Sequence, residues 1–422
     1  MSIRQNFPTT PPSLVLDFAN SKTLDPRITF SRTNPTATRM NELGLIESVG
    51  SDIARFDHRY DSSTGSIKCL GLLTERQKTN FIRHNEELDN TSVWGRSGVG
   101  ISTNATISPT GELTAEKIID APGVAGNQHW LRIRATGLST TGTYTASAYM
   151  KFDPENNLNG RGISLTITDA ETGGSSYSAI RVLEGGDYAI TSDDFTNTTG
   201  NVDTLPNGWY RAHLIFTNAG ATTELSLRLQ LTTSSGGAVY DSDGSSGVFA
   251  WGAQLEPEST LTSYIPNPTS SQITRTADST SIEGSNMTDW YNPYEGTAIV
   301  DSLVEYDPKA TRFVWSFNGG SSVHSLRQPH LTGLRFRAVI GGVFTPAPGT
   351  GGFAINGSTT KAAVAYDSTT GRLQVGTSSN EVTNIGIADA TSFNLGTNNG
   401  RIKKFTYYPT RLSNDNLQTL TK

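Results

Sequence analysis

The sequence predicts an all-β chain: two antiparallel β-sandwiches, jelly-roll or lectin-like, in tandem after a small irregular N-terminal adaptor. Three observations predict it. Segments such as TYTASAYMKF, TELSLRLQL and GRIKKFTYYP alternate apolar and polar residues, which is strand periodicity. Gly, at 42 of 422 residues, falls with Ser, Asn and Asp in the clusters between them, where hairpin turns need such residues. No long amphipathic helix interrupts the strand pattern.

Residues 1–85 form the expected adaptor, a docking region. Pro8, Pro11 and Pro12 make an extended lead, and LVLDFA reads as a short strand. ITFSRTNPTATRMNELGLIESV reads as irregular hairpins, and a further turn falls at Ser62 to Gly65. LTERQKTNFIRHNEEL is the region's one sizeable helix-like stretch. Residues 86–268 alternate strongly through GISLTITDA, SAIRVLE, WYRAHLIFT and GVFAWGAQLE, which predicts a jelly roll. Residues 269–422 repeat that grammar in a second sandwich. TRTADSTS at 274–281 is the crossing between them, and a short terminal helix starts at Ser413 with Leu417 and Leu420 on one face.

Composition narrows the function. Net charge is −6 and no Lys/Arg run occurs, which argues against a nucleic-acid partner. One cysteine, Cys69, excludes an internal disulfide framework and reads as a core thiol. No apolar run approaches the ~20 residues of a membrane span. The N-terminus lacks a signal-peptide pattern, so the expectation is a soluble protein made in a cytoplasm.

The N-terminal region carries a distinctive set of residues: Ser31, Arg32 and Thr38, then Asn41, Gly44 and Ile46, then Arg55, Phe56 and Asp57. Gly71, Leu72, Leu73, Glu75, Thr79 and Asn80 complete it. This set resembles the opening module of tailed-bacteriophage virion proteins. GWYRAHLIFT and WGAQLEPESTLTSYIP resemble strands of carbohydrate-binding-module jelly rolls. RIKKFTYYPTRLSNDNLQTLT is similar to the closing strand and helix of concanavalin A-like, laminin G-like sandwiches. The resemblance implies a virion structural protein assembled in the host cytoplasm: a tail fibre or spike subunit in host recognition. A capsid decoration or head-fibre protein is the alternative, and an accessory of a glycan-degrading enzyme ranks third. It implies docking to other virion proteins through the N-terminal region, contact with host glycans, and a homotrimer.

Glycoside hydrolysis needs two flanking carboxylates. Glu256 and Glu258 straddle Pro257 at a strand end, and Asp193-Asp194 sits in a turn, so the expectation is no enzyme and no catalytic residue. The six His residues are scattered singly, which gives no zinc pattern. Asp241, Asp243 and Ser245 have the i, i+2, i+4 spacing that opens a calcium loop, with a plain turn as the competing reading and no other cofactor expected. Sugar binding needs an aromatic face beside polar side chains. Period two assigns Tyr149, Arg228, Gln230 and Gln254 to one polar sheet face, and Trp130 in NQHWLRIR is the fifth candidate; a solvated sheet face would look the same. Period two also places Trp251 with Ala253 and Leu255 on the core side of its strand.

Overall fold

The computed structural model describes residues 7–153, 155, 161–169, 177–193, 195–218, 222–304, 312–328, 334–345, 359–383, 385–396 and 399–422. Within them the chain is antiparallel strands layered into two sandwiches, with short α-helices at Phe18–Ser21, Ser285–Thr288 and Asn414–Leu420. The all-β, sandwich-type fold class is therefore the observed one.

The middle sandwich has two sheets. One runs in the order Thr196–Thr204, Trp209–Thr217, Thr143–Phe152, Gly247–Pro257, Leu113–Asp120, Val99–Ile107. The other runs Tyr188–Asp193, Tyr177–Val182, Gly162–Asp169, Glu224–Thr232, Asn127–Thr136, Val239–Tyr240. Alternation does the work here. Leu225, Leu227, Leu229 and Leu231 from one sheet meet Ala146, Ala148 and Met150 from the other, all fully buried. Each buried Leu contributes about 1.5–3 kcal/mol.

The N-terminal residues do not form an adaptor of their own. Leu14–Asp17 and Ser66–Thr74 pair with Gly400–Tyr408, Arg55–Asp61 pairs with Ser66–Thr74, and Thr29–Ser31 pairs with Ser279–Glu283. Leu14, Leu16, Phe18, Phe56 and Leu72 are buried in one core with Trp315, Phe393 and Phe405. The reason is hydrophobic: LVLD and GLL supply apolar side chains that a free adaptor would leave in water. The middle sandwich is thus an insertion within the other one. The chain leaves at Lys78–Asn80 and returns at Ile273–Arg275, and these two strands pair with each other.

Two local expectations also give way. LTERQKTNFIRHNEEL contains no helix. Asn80 lies in a strand, and its side chain donates to Ile265 O at 3.0 Å and accepts from Leu255 N at 3.1 Å. Long-range bonds from this side chain hold the extended form. In VFAWGAQLE, period two breaks. Ser147 pairs with Gln254 but Tyr149 pairs with Trp251, so the strand carries an extra residue there. Gly252 takes φ +62, and a Cβ on it would sit 3.1 Å from the rings of both Tyr149 and Tyr264. This bulge keeps Val248, Ala250, Ala253 and Leu255 in the sandwich core. It turns Trp251 to the opposite face, where Trp251 packs with Tyr149, Trp209 and Tyr264. The terminal helix follows expectation: Ser413 Oγ accepts from Asn416 N at 3.3 Å, and Leu417 is buried. Cys69 is half-buried and free.

The joint between the sandwiches explains the N-terminal motif. Asn41 Oδ1 accepts from Leu43 N and Leu45 N, closing the hairpin between Ala37–Met40 and Ile46–Val49. Arg32 Nη1 contacts Asp278 Oδ1 at 3.1 Å. Arg55 Nη1 and Arg275 Nη1 both reach Glu75 Oε2, at 2.7 and 2.8 Å. Glu75 Oε1 accepts from Ser263 N at 2.7 Å, and Asp278 Oδ2 accepts from Glu75 N at 2.8 Å. These five charged side chains are almost wholly inaccessible to solvent. Motif arginines and the motif glutamate thus fasten the N-terminal strands to the segment that returns from the inserted sandwich.

Candidate carbohydrate-binding face

The five residues expected at a sugar site fall into two groups on opposite sheets. Tyr149 is 2% exposed and Gln254 is fully buried. Tyr149 stacks edge-on to Trp251 at 5.3 Å and to Tyr264 at 5.7 Å, with the Arg211 guanidinium over its ring. Burial pushes its hydroxyl up to about 12. Gln254 Oε1 accepts from Ile265 N at 2.8 Å. Both hold the chain's own return segment, Ser259 to Ile265, so neither lies on an open sheet face. The bulge at Gly252 causes this, because it brings Trp251 onto the side of Tyr149 and gives the return segment an aromatic bed.

Trp130, Arg228 and Gln230 do meet, on the outer face of the other sheet. Trp130 lies opposite Gln230, and Arg132 opposite Arg228, across antiparallel strands. Gln230 continues to Ser164, and Arg228 to Thr166. Leu131, Ile133, Leu227 and Leu229 point the other way, into the core. The indole is half-buried and carries two guanidiniums: Arg132 at 4.9 Å and Arg228 at 5.3 Å from its ring centroid. Arg228 and Gln230 form a buried floor with Ser164 and Thr166, while Arg132 is half-exposed and Arg134 exposed. This is a platform with an apolar ring, cationic forks and hydroxyls on one surface, and it can stack a sugar ring while bonding its substituents. Sequence reasoning missed Arg132, although it shares strand parity with Trp130 in NQHWLRIR.

A second concavity, about 760 Å³, lies where the inserted sandwich meets the N-terminal strands. Its walls include Asp57, His58, Asp203, Arg211, His213 and Arg401. Much of its charge is already matched. Arg401 Nη2 contacts Asp57 Oδ2 at 2.9 Å, and Arg211 donates to Thr262 O at 2.9 Å and Ser147 Oγ at 3.1 Å.

The calcium candidates do not converge as ligands. Asp241 Oδ1 accepts from Gly126 N at 2.9 Å. Asp243 Oδ1 accepts from Ser245 N at 2.9 Å and Ser246 N at 2.7 Å, closing its own turn. The Arg161 guanidinium lies 3.6 Å from Asp243, a charge that repels a cation. Among the described residues no group of three His, Cys, Asp or Glu is placed to hold a metal.

Two of the carboxylates considered for hydrolysis, Glu256 and Glu258, are engaged in structure. Buried Glu256 accepts from Thr262 N at 2.8 Å and Thr262 Oγ1 at 2.6 Å, and Glu258 contacts Lys78 at 2.8 Å. Asp194 and the side chain of Asp193 lie outside the described residues. One carboxyl that sequence reasoning missed is perturbed. Glu116 is 4% exposed, and its Oε2 has no hydrogen-bond partner among the described residues. Burial, then the charges of Asp89, Glu86 and Glu87, push it up to about 8. A raised pKa means that Glu116 favours the fold in its protonated form. Its contribution is full below the ordinary value of 4.5 and is lost as pH rises through about 8. Thermal melts should therefore show stability falling from about pH 4.5 to pH 8 in the parent protein. Glu116→Gln should remove about 2–4 kcal/mol of that fall. Identical pH profiles for both proteins would refute the assignment.

No protein-family model matches the sequence, and no curated protein matches it. Among solved structures the chain is similar to the sialidase of Trypanosoma rangeli, at 11% identity and a TM-score of 0.29. That match covers 73% of this chain and 60% of the sialidase, so the chain spans less than two thirds of the enzyme's length. It is similar to CG-16, a homodimeric agglutinin from chicken liver, at 8% identity and a TM-score of 0.23, covering 28% of this chain and 96% of that one. Mouse laminin alpha1 chain, domains LG4-5, matches at 9% identity and a TM-score of 0.22, over 69% of this chain and 90% of that one. Scores of this size leave activity and ligand open. They do correct one expectation. Sialidases align with 73% of this chain, so its fold gives no ground for setting enzymes aside.

Proposed function

We propose that this chain binds carbohydrate through the open sheet face around Trp130, as a surface component of a tailed-phage virion. Within the virion it serves as a tail fibre or spike subunit. The observation that carries the binding reading is the half-exposed indole of Trp130, set beside Gln230 and between two guanidiniums on a sheet face. The virion reading is supported by the N-terminal motif, whose Arg32, Arg55 and Glu75 sit in the buried joint described above. Docking to neighbouring virion proteins is assigned to the N-terminal lead, where Phe7, Pro11 and Pro12 are exposed, and assembly is as a homotrimer.

Trp130→Ala should weaken binding to host cells or isolated cell-surface polysaccharide about 10-fold or more while leaving the melting temperature unchanged. Tyr149→Phe should leave binding intact, because that ring faces the protein's own return segment. Equal binding by Trp130→Ala and the parent would sink the reading. Imaging of labelled chain at the head would favour capsid decoration over the tail, and a single-chain mass in sedimentation would end the trimer.

A further inference from the structure

We infer that the Trp130 face selects carboxylate-bearing sugars, such as uronic or sialic acids, over neutral ones. This rests on the carbohydrate-binding reading above and names the ligand class for that face. Arg132 and Arg228 are register partners, so two like charges stand side by side across neighbouring strands. Directly opposed like charges destabilise a sheet unless something answers them. Here the Trp130 ring is the contact shown for both, and among the described residues no carboxylate and no hydrogen-bond acceptor meets either guanidinium. Nearby cations are provided for, since Arg134 contacts Glu224 at 3.8 Å and Arg181 donates to Ser234 O at 3.3 Å. Arg228 is only 8% exposed, yet among the described residues its Nε has no hydrogen-bond partner, and neither have Thr168 Oγ1 and Ser226 Oγ nearby. Both guanidiniums are held below their ordinary range, by burial first and then by a neighbouring arginine.

A bound carboxylate removes this mismatch. Its two oxygens match the planar fork of a guanidinium, while the sugar's C–H face lies on the indole that both arginines flank. A nucleic acid offers phosphate charge as well, but a phosphate backbone calls for a stripe of free cations, and here the next arginine along the strand, Arg134, already contacts Glu224. The carboxylate sugar is the occupant that fits the aromatic ring, the isolated pair of cations and the hydroxyl floor together.

The test is binding of the full chain to polygalacturonate, polysialic acid and alginate, each beside a copy whose carboxyls have been reduced to alcohols. Neutral dextran, dextran sulfate and duplex DNA complete the panel. The expected result is that at least one acidic polysaccharide binds, that reduction of its carboxyls weakens binding about 10-fold or more, and that added salt weakens it further. Arg132→Gln, at a half-exposed position, should reproduce the loss without altering the melting temperature. Arg228→Gln should match it, with Arg132→Gln deciding if the buried variant fails to fold. Binding of a reduced or neutral polysaccharide as tight as the acidic one overturns the charge preference and leaves the face a sugar site. Binding of dextran sulfate or DNA in place of the carboxylate polymers overturns the carboxylate assignment. No binding to any polysaccharide removes both this inference and the reading beneath it.

Discussion

Glu75→Gln is expected to destabilise the protein by about 3–5 kcal/mol, because it leaves two buried guanidiniums without their shared anion. Arg55 and Arg275 converge on Glu75 Oε2, and neither has a route to solvent. Urea unfolding followed by tryptophan fluorescence measures the loss. The variant should also separate one transition into two, since the joint links the sandwiches. An unchanged midpoint would show that the ion cluster is dispensable. The same carboxylate sets an acid limit. Burial alone would push Glu75 up, but the Arg275 and Arg55 guanidiniums and the Ser263 bonds hold it well below the usual carboxylate range. A lowered pKa stabilises above the unfolded value of about 4.5 and is lost as pH falls below it. Glu116 works in the opposite direction from about pH 4.5 to about pH 8. The two groups together therefore place the stability maximum near pH 4.5 to 5.

Gly71→Ala is expected to cost about 3 kcal/mol or more by pushing the N-terminal strands off the sheet that holds them. Gly71 has φ +91, and a Cβ there would lie 2.1 Å from Ile402 O and 2.7 Å from Lys403 Cα. That contact is backbone, so no rotamer change relieves it. Gly65→Ala is the control. It shares positive φ, at +67, but has nothing within 4 Å of the added Cβ, and should cost only about 1–2 kcal/mol. Equal melting temperatures for the two variants would contradict the steric account. Both residues lie in the same strand-turn region, so the difference between them isolates the close approach to Ile402.

Local patterning in the sequence was enough for the strands of the inserted sandwich. Leu225 to Leu231 alternate cleanly, and the structure buries each of them. It was not enough for the pairing of Leu14–Asp17 with Gly400–Tyr408, because partners almost the whole chain apart leave no local trace. The same limit split the candidate site. Trp130, Arg228 and Gln230 share a face because their strands keep strict parity. Tyr149 and Gln254 lie apart from them; periodicity says which residues share a side of one strand, not which sheet the strand joins. A single extra residue at Gly252 then reversed the side of Trp251. Arg132 was legible in NQHWLRIR. Its meaning was not, since an unanswered charge is visible only once the opposing strand supplies a second arginine.

The insertion of one sandwich within the other has a consequence for synthesis. Every strand of the inserted unit lies between residues 80 and 273, so it can close as soon as that stretch leaves the ribosome. The outer unit cannot. Leu14–Asp17 and Ser66–Thr74 wait for Gly400–Tyr408, the last strand to be made. Their apolar side chains stay uncovered for almost the whole of translation, which is the interval in which a nascent chain recruits chaperones or finds a sister chain. A truncation just before Gly400 would therefore yield a folded central unit carrying unpaired strands from the N-terminal region and aggregating through them.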